Sequence, residues 1–164
     1  MNKAYLLLGS NLEDPKEQLG RAILQIEQKL GAIVKRSSLY KTAAWGNTDQ
    51  PDFINMIVVC ETALSARKAM QTLLEIEQGM GRHRSTRFAP RIIDIDILYF
   101  NREILAEPEL TLPHPAIPDR RFTLVPLNEL DASFIHPISG KTSAEMLKDC
   151  KDELTVEKLS ESAS

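Results

Sequence analysis

The stretch that decides the fold is Arg91-Ile92-Ile93-Asp94-Ile95-Asp96-Ile97-Leu98-Tyr99-Phe100. Seven of its ten residues are aliphatic or aromatic and many are β-branched, which predicts a buried β-strand. Because side chains alternate along a strand, we expect one face to carry Ile93, Ile95, Ile97 and Tyr99, and the other to carry Asp94, Asp96, Leu98 and Phe100. The second face begins with two acids and continues apolar, so it does not have the pattern of a simply solvated face.

The two aspartates are close enough to repel each other. Residues two apart on a strand lie roughly 6.5–7 Å apart, which at an effective dielectric of about 20 gives repulsion on the order of 2–3 kcal/mol. Solvated acids at a strand end are one interpretation. The segment 82–91 favours another, because it contains no acid and holds Arg82, Arg84, Arg87, Arg91 and His83. We expect a polyphosphate whose Mg²⁺ ions the aspartates hold while the guanidinium groups bind its oxygens.

Length and composition limit the classes of protein that fit. The 164 residues suit a single domain, which we expect over 1–160 with a loose tail over 161–164. A formal net charge of −3 argues against a general nucleic-acid-binding protein. Cys60 and Cys150 are isolated, which points to a reducing compartment. With no signal-peptide pattern and no apolar run approaching about 18 residues, we expect a cytoplasmic protein without a membrane span.

The first hundred residues alternate between strand and helix patterns. Strands are expected over 4–8, 32–43, 53–62 and 92–100, with Gly9-Ser10-Asn11 as the turn after the first. A first helix should start at Pro15 behind Asp14 as N-cap and end at Gly31, and a second should span 66–79 behind Ser65. The order β-α-β-β-α-β predicts an α+β, ferredoxin-like core with an antiparallel sheet.

The rest of the chain should cover the second face of that sheet. We expect a hairpin return at 103–105 and helices over 122–130, 143–149 and 153–160. Gly140-Lys141-Thr142 looks like the end of a P-loop, but the glycine that such a loop requires earlier would fall on Ile135. Any nucleotide is therefore bound by cationic side chains and metal.

Three further side chains are candidates for ligand contacts. His114 lies between two prolines that stiffen the backbone, and a structural role and a phosphate contact are equally good interpretations. Phe53 and Asn55 share one face of a predicted strand, and Phe122 follows an arginine pair. Two aromatic rings and an amide suit a flat heterocycle, although core packing is the alternative for each phenylalanine alone.

Several motifs of the chain resemble those of one enzyme family. Residues 87–98 resemble, at all twelve positions, the signature of the 6-hydroxymethyl-7,8-dihydropterin pyrophosphokinases of folate synthesis. The same family is matched in order and spacing by Gly9-Ser10-Asn11-Leu12, by Gln50-Pro51-x-Phe53-x-Asn55, and by Leu112-Pro113-His114-Pro115 with Arg120-x-Phe122. The similarity covers about residues 4–135.

The resemblance implies transfer of the β,γ-diphosphoryl group of ATP to the hydroxymethyl oxygen of the pterin, with release of AMP. It implies that Asp94 and Asp96 bind two Mg²⁺ ions and that Arg82 and Arg91 neutralise charge on the transferring group. The implied ATP contacts are these arginines with Arg84, Arg87, His114, Arg120, Thr111 and Glu77. The implied pterin contacts are Thr42, Ala43, Trp45, Phe53, Asn55 and Phe122. Loops 44–52 and 82–91 are expected to close as lids.

Two alternatives to an enzyme belong to other functional classes. Ferredoxin-like sheets with exposed aromatics also bind RNA, but this sequence lacks the aromatic RNP strand and its net charge is negative. A regulatory domain that senses a small molecule without turnover is the second alternative. We expect small-molecule substrates, no nucleic acid and no membrane partner, and a monomer.

Overall fold

A computed structural model describes residues 1–12, 14–43, 51–81 and 93–159. The strands are β1 (Asn2–Ser10), β2 (Gly31–Arg36), β3 (Tyr40–Thr42), β4 (Phe53–Thr62), β5 (Asp94–Phe100), β6 (Leu105–Ala106), β7 (Thr111–Leu112) and β8 (Val156–Lys158). The helices are α1 (Pro15–Lys29), α2 (Ala66–Gly79), α3 (Arg121–Asp131) and α4 (Ser143–Asp149), with a 3-10 turn over Ile117–Asp119. The predicted tail over 161–164 lies outside the described residues.

The main sheet is antiparallel and has the order β5-β1-β4-β3-β8, with β2 also pairing with β4. The first, third and fourth predicted strands are therefore neighbours, with β1 in the centre. This arrangement confirms the ferredoxin-like core. The hairpin expected near 103–105 is the separate two-stranded sheet of β6 and β7.

Local signals explain where α1 and α2 begin. The Asp14 carboxylate accepts a hydrogen bond from the Glu17 N–H, and the Ser65 hydroxyl accepts one from the Lys68 N–H. Each bond satisfies one of the donors that the first turn of a helix leaves without a partner. Both N-caps were predicted from the sequence.

Two layers of helix enclose the sheet. One face packs against α1 and α2 through a core that includes Leu6, Leu8, Leu19, Ile23, Ile26, Met56, Val58, Leu73, Ile76 and Ile95. The other packs against α3 and α4 through a core that includes Tyr5, Leu7, Ile57, Val59, Leu98, Tyr99, Leu124, Leu127 and Met146. The expectation that both faces of β5 are covered is confirmed.

A β-bulge changes the faces predicted for the end of β5. Tyr5 lies opposite Tyr99 and Leu6 opposite Ile97, so Leu98 is the extra residue of the bulge. Tyr99 consequently joins the α3–α4 core, whereas Phe100 joins the α1–α2 core. The strict alternation predicted for Tyr99 and Phe100 was wrong.

Three other boundaries differ from the sequence prediction. The strand β1 continues through Gly9 and Ser10, where a turn was expected. The single strand predicted over 32–43 is two strands, β2 and β3, which both pair with β4. The helix predicted over 153–160 is wrong, because Val156–Lys158 pairs with β3 as an additional strand.

Two tyrosines in the α3–α4 core allow a matched test of this packing. The Tyr5 hydroxyl donates to the Asp131 carboxylate at 2.8 Å, whereas the buried Tyr99 hydroxyl has no hydrogen-bond partner within the described part of the chain. Tyr5→Phe should lower the free energy of unfolding by about 1 kcal/mol, and Tyr99→Phe should leave it unchanged or raise it. Urea unfolding of both variants measures this difference. A larger loss for Tyr99→Phe than for Tyr5→Phe would contradict the assignment.

Candidate active site

The candidate site is built around Gly9, near the end of the central strand. Gly9 lies opposite Asn55 of β4 on one side and opposite Asp94 of β5 on the other. Directly opposed residues of antiparallel strands project from the same face, so Asn55 and Asp94 share the face that also carries α3 and α4. With strands about 4.8 Å apart, their backbones are separated by roughly 10 Å. Gly9 itself places no side chain between them, and the Asn55 amide lies against it.

The β4 side of this space is a fixed amide. The Asn55 side chain is 5% exposed, and its Oδ1 accepts a hydrogen bond from the Thr42 hydroxyl at 3.1 Å. A Cβ atom added to Gly9 would lie 2.5 Å from Asn55 Nδ2 and 3.6 Å from the Phe53 ring. Thr42, Phe53 and Asn55 therefore meet beside Gly9, as their proposed common role requires.

The β5 side carries the two aspartates. Asp94 and Asp96 are both half-buried. The residues that alternate with them along the strand are buried on the α1–α2 face; they are Ile93, Ile95 and Ile97. The predicted alternation thus holds at this end of the strand. Two carboxylates on one face are brought together, with Gly9 and Leu7 as their neighbours on β1.

His114 and Arg120 belong to the same neighbourhood. Burial lowers the pKa of His114 and the Arg120 charge lowers it further, while the Asp94 charge opposes both. The imidazole Nδ1 accepts a hydrogen bond from the Ala116 N–H at 3.1 Å, so the neutral ring carries its proton on Nε2. The Arg120 guanidinium lies 5.4 Å from the centre of the Phe122 ring, in cation–π geometry.

Phe122 is placed by α3. It packs against the α3–α4 core on the face of the sheet that holds Asn55 and Asp94. Phe53, on β4, is half-buried at the edge of the same face. The two predicted ring-stacking residues therefore come from a strand and a helix on the same face of the sheet.

Several predicted site residues lie elsewhere or outside the described residues. Glu77 is buried in α2, and its carboxylate accepts a hydrogen bond from the Ile95 N–H at 2.6 Å, between the two aspartates. Thr111 is exposed on β7, and Ala43 is exposed just after β3. The remaining predicted site residues, Trp45, Arg82, Arg84, Arg87 and Arg91, lie outside the described residues, as does most of the two predicted lids.

Metal ligands in this part of the chain are few. Among residues 1–12, 14–43, 51–81 and 93–159, no group of three or more histidine, cysteine, aspartate or glutamate side chains converges. Asp94 and Asp96 form a pair of oxygen donors. A pair suits Mg²⁺, which in nucleotide sites is held by one or two carboxylates together with substrate phosphates.

A family model matches most of the chain. The family model for 7,8-dihydro-6-hydroxymethylpterin-pyrophosphokinase (HPPK) matches residues 5–132. The chain belongs to this family. The resemblance drawn from the sequence motifs is thereby confirmed.

Relatives of the family cover nearly the whole chain. The 2-amino-4-hydroxy-6-hydroxymethyldihydropteridine pyrophosphokinase of Methylorubrum extorquens is 38% identical over 148 residues, which are 90% of this chain and 92% of the relative. The protein of the same name from Haemophilus influenzae is 39% identical over 153 residues, which are 93% of this chain and 95% of the relative.

A solved structure shows the same fold. The Plasmodium falciparum HPPK-DHPS, crystallised with pterin and p-hydroxybenzoate, superposes with a TM-score of 0.75 over 90% of this chain at 18% sequence identity. This chain spans 41% of that longer chain. At such low identity the likeness concerns the fold of the HPPK-like part.

Sequence reasoning missed two features of the site. Gly9 was interpreted as a turn residue, although a glycine between a buried apolar run and two polar residues can also mark a place where another group approaches the backbone. The interactions that hold α3 in place were also missed, because their partners are far apart in sequence.

The close contact at Gly9 gives a test. Gly9→Ala should displace the Asn55 amide, because a Cβ at 2.5 Å is not tolerated and the amide is held by Thr42. We expect the KM for the pterin to rise up to about tenfold, the equivalent of one hydrogen bond, with the protein still folded. Gly79→Ala is the control, since a Cβ there meets nothing within 4 Å. Equal KM values for both variants would contradict the predicted contact between Asn55 and the pterin.

The environment of His114 gives a second test. Its pKa in the folded protein should lie below the ordinary 6.5, so folding favours the neutral ring. The unfolded chain then binds the extra proton first, and the free energy of unfolding falls as the pH drops from about 6.5 towards the folded pKa.

An NMR titration of the imidazole resonances measures this shift. Arg120→Ala should move the pKa of His114 upward, although burial, the larger cause, keeps it below 6.5. His136, whose pKa is lowered by burial alone, is the internal control and should not respond. A His114 that titrates at or above 6.5 in the wild-type protein would contradict the buried geometry.

Proposed function

We propose that Asp94 and Asp96 hold the Mg²⁺ ions with which this pyrophosphokinase transfers the diphosphoryl group of ATP to the hydroxymethyl oxygen of 6-hydroxymethyl-7,8-dihydropterin, a step of folate synthesis. The observation that carries the proposal is the position of the two aspartates on the same face as Asn55, next to Gly9. Family membership supports the reaction and ATP as co-substrate. The geometry supports the roles of individual residues.

The donor set fits magnesium. Both carboxylates are half-buried and reach the same side of the sheet, and hard oxygen donors are the ligands that Mg²⁺ prefers. When bound, Mg²⁺ would neutralise negative charge on the triphosphate and orient its phosphoryl groups. The two carboxylates would also lose the mutual repulsion that their spacing imposes.

The pterin ring would lie beside Gly9, with its edge on the Asn55 amide that lies against this glycine. The hydroxyl of Thr42 holds the amide at its oxygen, so the orientation of the amide is set before the substrate arrives. Phe53 and Phe122 would contact the two ring faces, and Ala43 and Trp45 would contribute from the segment after β3. Stacking and one preset amide supply binding energy and orientation with little reorganisation.

The cationic and neutral donors would bind the nucleotide. Neutral His114 would donate a hydrogen bond from its Nε2–H. The Arg120 guanidinium would donate two parallel hydrogen bonds to phosphate oxygens. Arg82 and Arg91 would neutralise charge on the transferring group, with Arg84 and Arg87 assisting from the same loop. Thr111 and Glu77 stay predicted ATP contacts, and the bond from Ile95 gives Glu77 a structural role as well. Preorganised charge of this kind lowers the barrier for phosphoryl transfer.

We also propose a cytoplasmic monomer. Cys60 is a free thiol buried in the core, and burial raises its pKa to about 11, so it is an unreactive side chain. Cys150 is the other free thiol. Among the described residues, none of the helices combines the length and hydropathy that a membrane crossing requires. Light scattering of the purified protein tests the oligomeric state.

Asparagine substitution at the two aspartates tests the proposed metal site. Asp94→Asn and Asp96→Asn should each lower the rate of AMP formation from ATP and pterin by about 10²-fold or more, because the metal loses a charged ligand while the side-chain shape is kept. Asp149→Asn is the matched control, because Asp149, the last residue of α4, makes an exposed ion pair with Lys141. Rate and Mg²⁺ dependence are measured with circular dichroism as a check on folding. Wild-type rates at ordinary Mg²⁺ in either variant would refute the assignment.

A further inference from the structure

The C-terminal segment 150–159 contacts two elements that carry proposed pterin-binding residues, α3 and β3. At its start, one oxygen of the Asp152 carboxylate, Oδ2, accepts a hydrogen bond from the Arg121 N–H at 3.0 Å. The other, Oδ1, accepts one from the Leu154 N–H at 3.0 Å. The same carboxylate therefore joins the first residue of α3 to the chain that continues into β8.

The first turn of α3 depends on this contact. Arg120 occupies the N-cap position and makes no side-chain capping bond. An arginine side chain carries no acceptor, so it cannot satisfy the exposed N–H groups of the first turn. Asp152 supplies both an acceptor and a negative charge at the positive end of the helix dipole. The residues on either side of Arg121 are Arg120 and Phe122, the proposed ATP and pterin contacts.

The other end of the segment reaches the β4 side of the site. Val156 lies opposite Thr42 and Lys158 opposite Tyr40 in the antiparallel pairing of β8 with β3. The Thr42 hydroxyl is the group that holds the Asn55 amide. The seven residues from Asp152 to Lys158 thus connect the start of α3 with the strand that orients Asn55.

A second carboxylate fixes the far end of α3. Glu129 accepts hydrogen bonds from the Ser38 N–H, the Ser38 hydroxyl and the Tyr40 hydroxyl, at 3.0, 2.8 and 2.6 Å. Burial alone favours the neutral acid, but these bonds lower the pKa of Glu129 below its ordinary value. Glu129 is seven residues, or about two helical turns, from Phe122. Glu129 therefore fixes the position of the C-terminal end of α3, and Asp152 fixes the position of its N-terminal end.

We propose that Asp152 is a positioning residue that sets the place of Phe122 and Arg120 on the face of the sheet that carries Asn55, through a segment, Asp152 to Lys158, that ties the start of α3 to β3. The proposal rests on the proposed pterin contacts of Phe122 and Asn55. It adds that a residue far from the aspartate pair, in the last part of the chain, governs the affinity for the pterin.

The experiment compares steady-state kinetics of the wild-type protein and four variants at saturating ATP and Mg²⁺. Asp152→Ala removes both acceptor oxygens, and Asp152→Asn keeps the shape and one acceptor oxygen but loses the charge. Glu153→Ala removes the neighbouring exposed carboxylate and is the matched control. We expect Asp152→Ala to raise the KM for the pterin about 3- to 10-fold, as the loss of a helix cap predicts, with a much smaller change in kcat. Asp152→Asn should recover part of the affinity, because its single oxygen can accept from only one of the two N–H groups.

Phe122→Ala separates the two levels of the proposal. If Phe122→Ala raises the KM and Asp152→Ala, folded at the assay temperature, has the wild-type KM, then Asp152 has no positioning role. If Phe122→Ala itself leaves the KM unchanged, the proposed pterin contact fails and the positioning role fails with it. An Asp152→Asn variant with a higher KM than Asp152→Ala would contradict the loss of acceptors as the cause. A lower melting temperature with an unchanged KM would show that Asp152 is structural only.

Discussion

Antiparallel pairing of β1 with both of its neighbours puts Gly9 between Asn55 and Asp94. Everything else in the site depends on this register. A slip of one residue on either side would turn Asn55 or the aspartate pair to the opposite face, into the core with α1 and α2. The buried residues on both faces of β1, β4 and β5 prevent such a slip, because each face has its own helix layer and its own apolar core.

The start of α3 carries two further groups of the proposed site, Arg120 and Phe122. Its core side chains, Leu124 and Leu127, supply apolar contact, which is not directional. Direction comes from carboxylates: Asp131 accepts from Tyr5, Glu129 from Ser38 and Tyr40, and Asp152 accepts from the first turn. Each of these bonds joins segments far apart in sequence. Together they hold the start of α3, with Arg120 and Phe122, above the edge of the sheet.

Sequence reasoning succeeded where the deciding physics is local. The caps Asp14 and Ser65 and the buried run of β4 are set by neighbouring residues, and they were predicted correctly. The aspartate pair was also found locally, because two acids within an apolar strand carry an energetic cost. The bulge at Leu98 and the strand at Val156 were not predicted. The bulge depends on how β5 aligns with Tyr5 of β1. The strand at Val156 forms because it pairs with the edge of β3, and the sequence of 153–160 carries no signal of that pairing.

We propose that one face of the sheet, next to Gly9, holds the pterin edge on Asn55 and the metal on Asp94 and Asp96. A crystal structure with Mg²⁺, a non-hydrolysable ATP analogue and the pterin would show both contacts. We expect Mg²⁺ within about 2.0–2.1 Å of oxygens from both aspartates, and the pterin ring beside Gly9 with its edge hydrogen-bonded to the Asn55 amide. A metal bound away from either aspartate, or a pterin ring that does not contact Asn55, would contradict this arrangement.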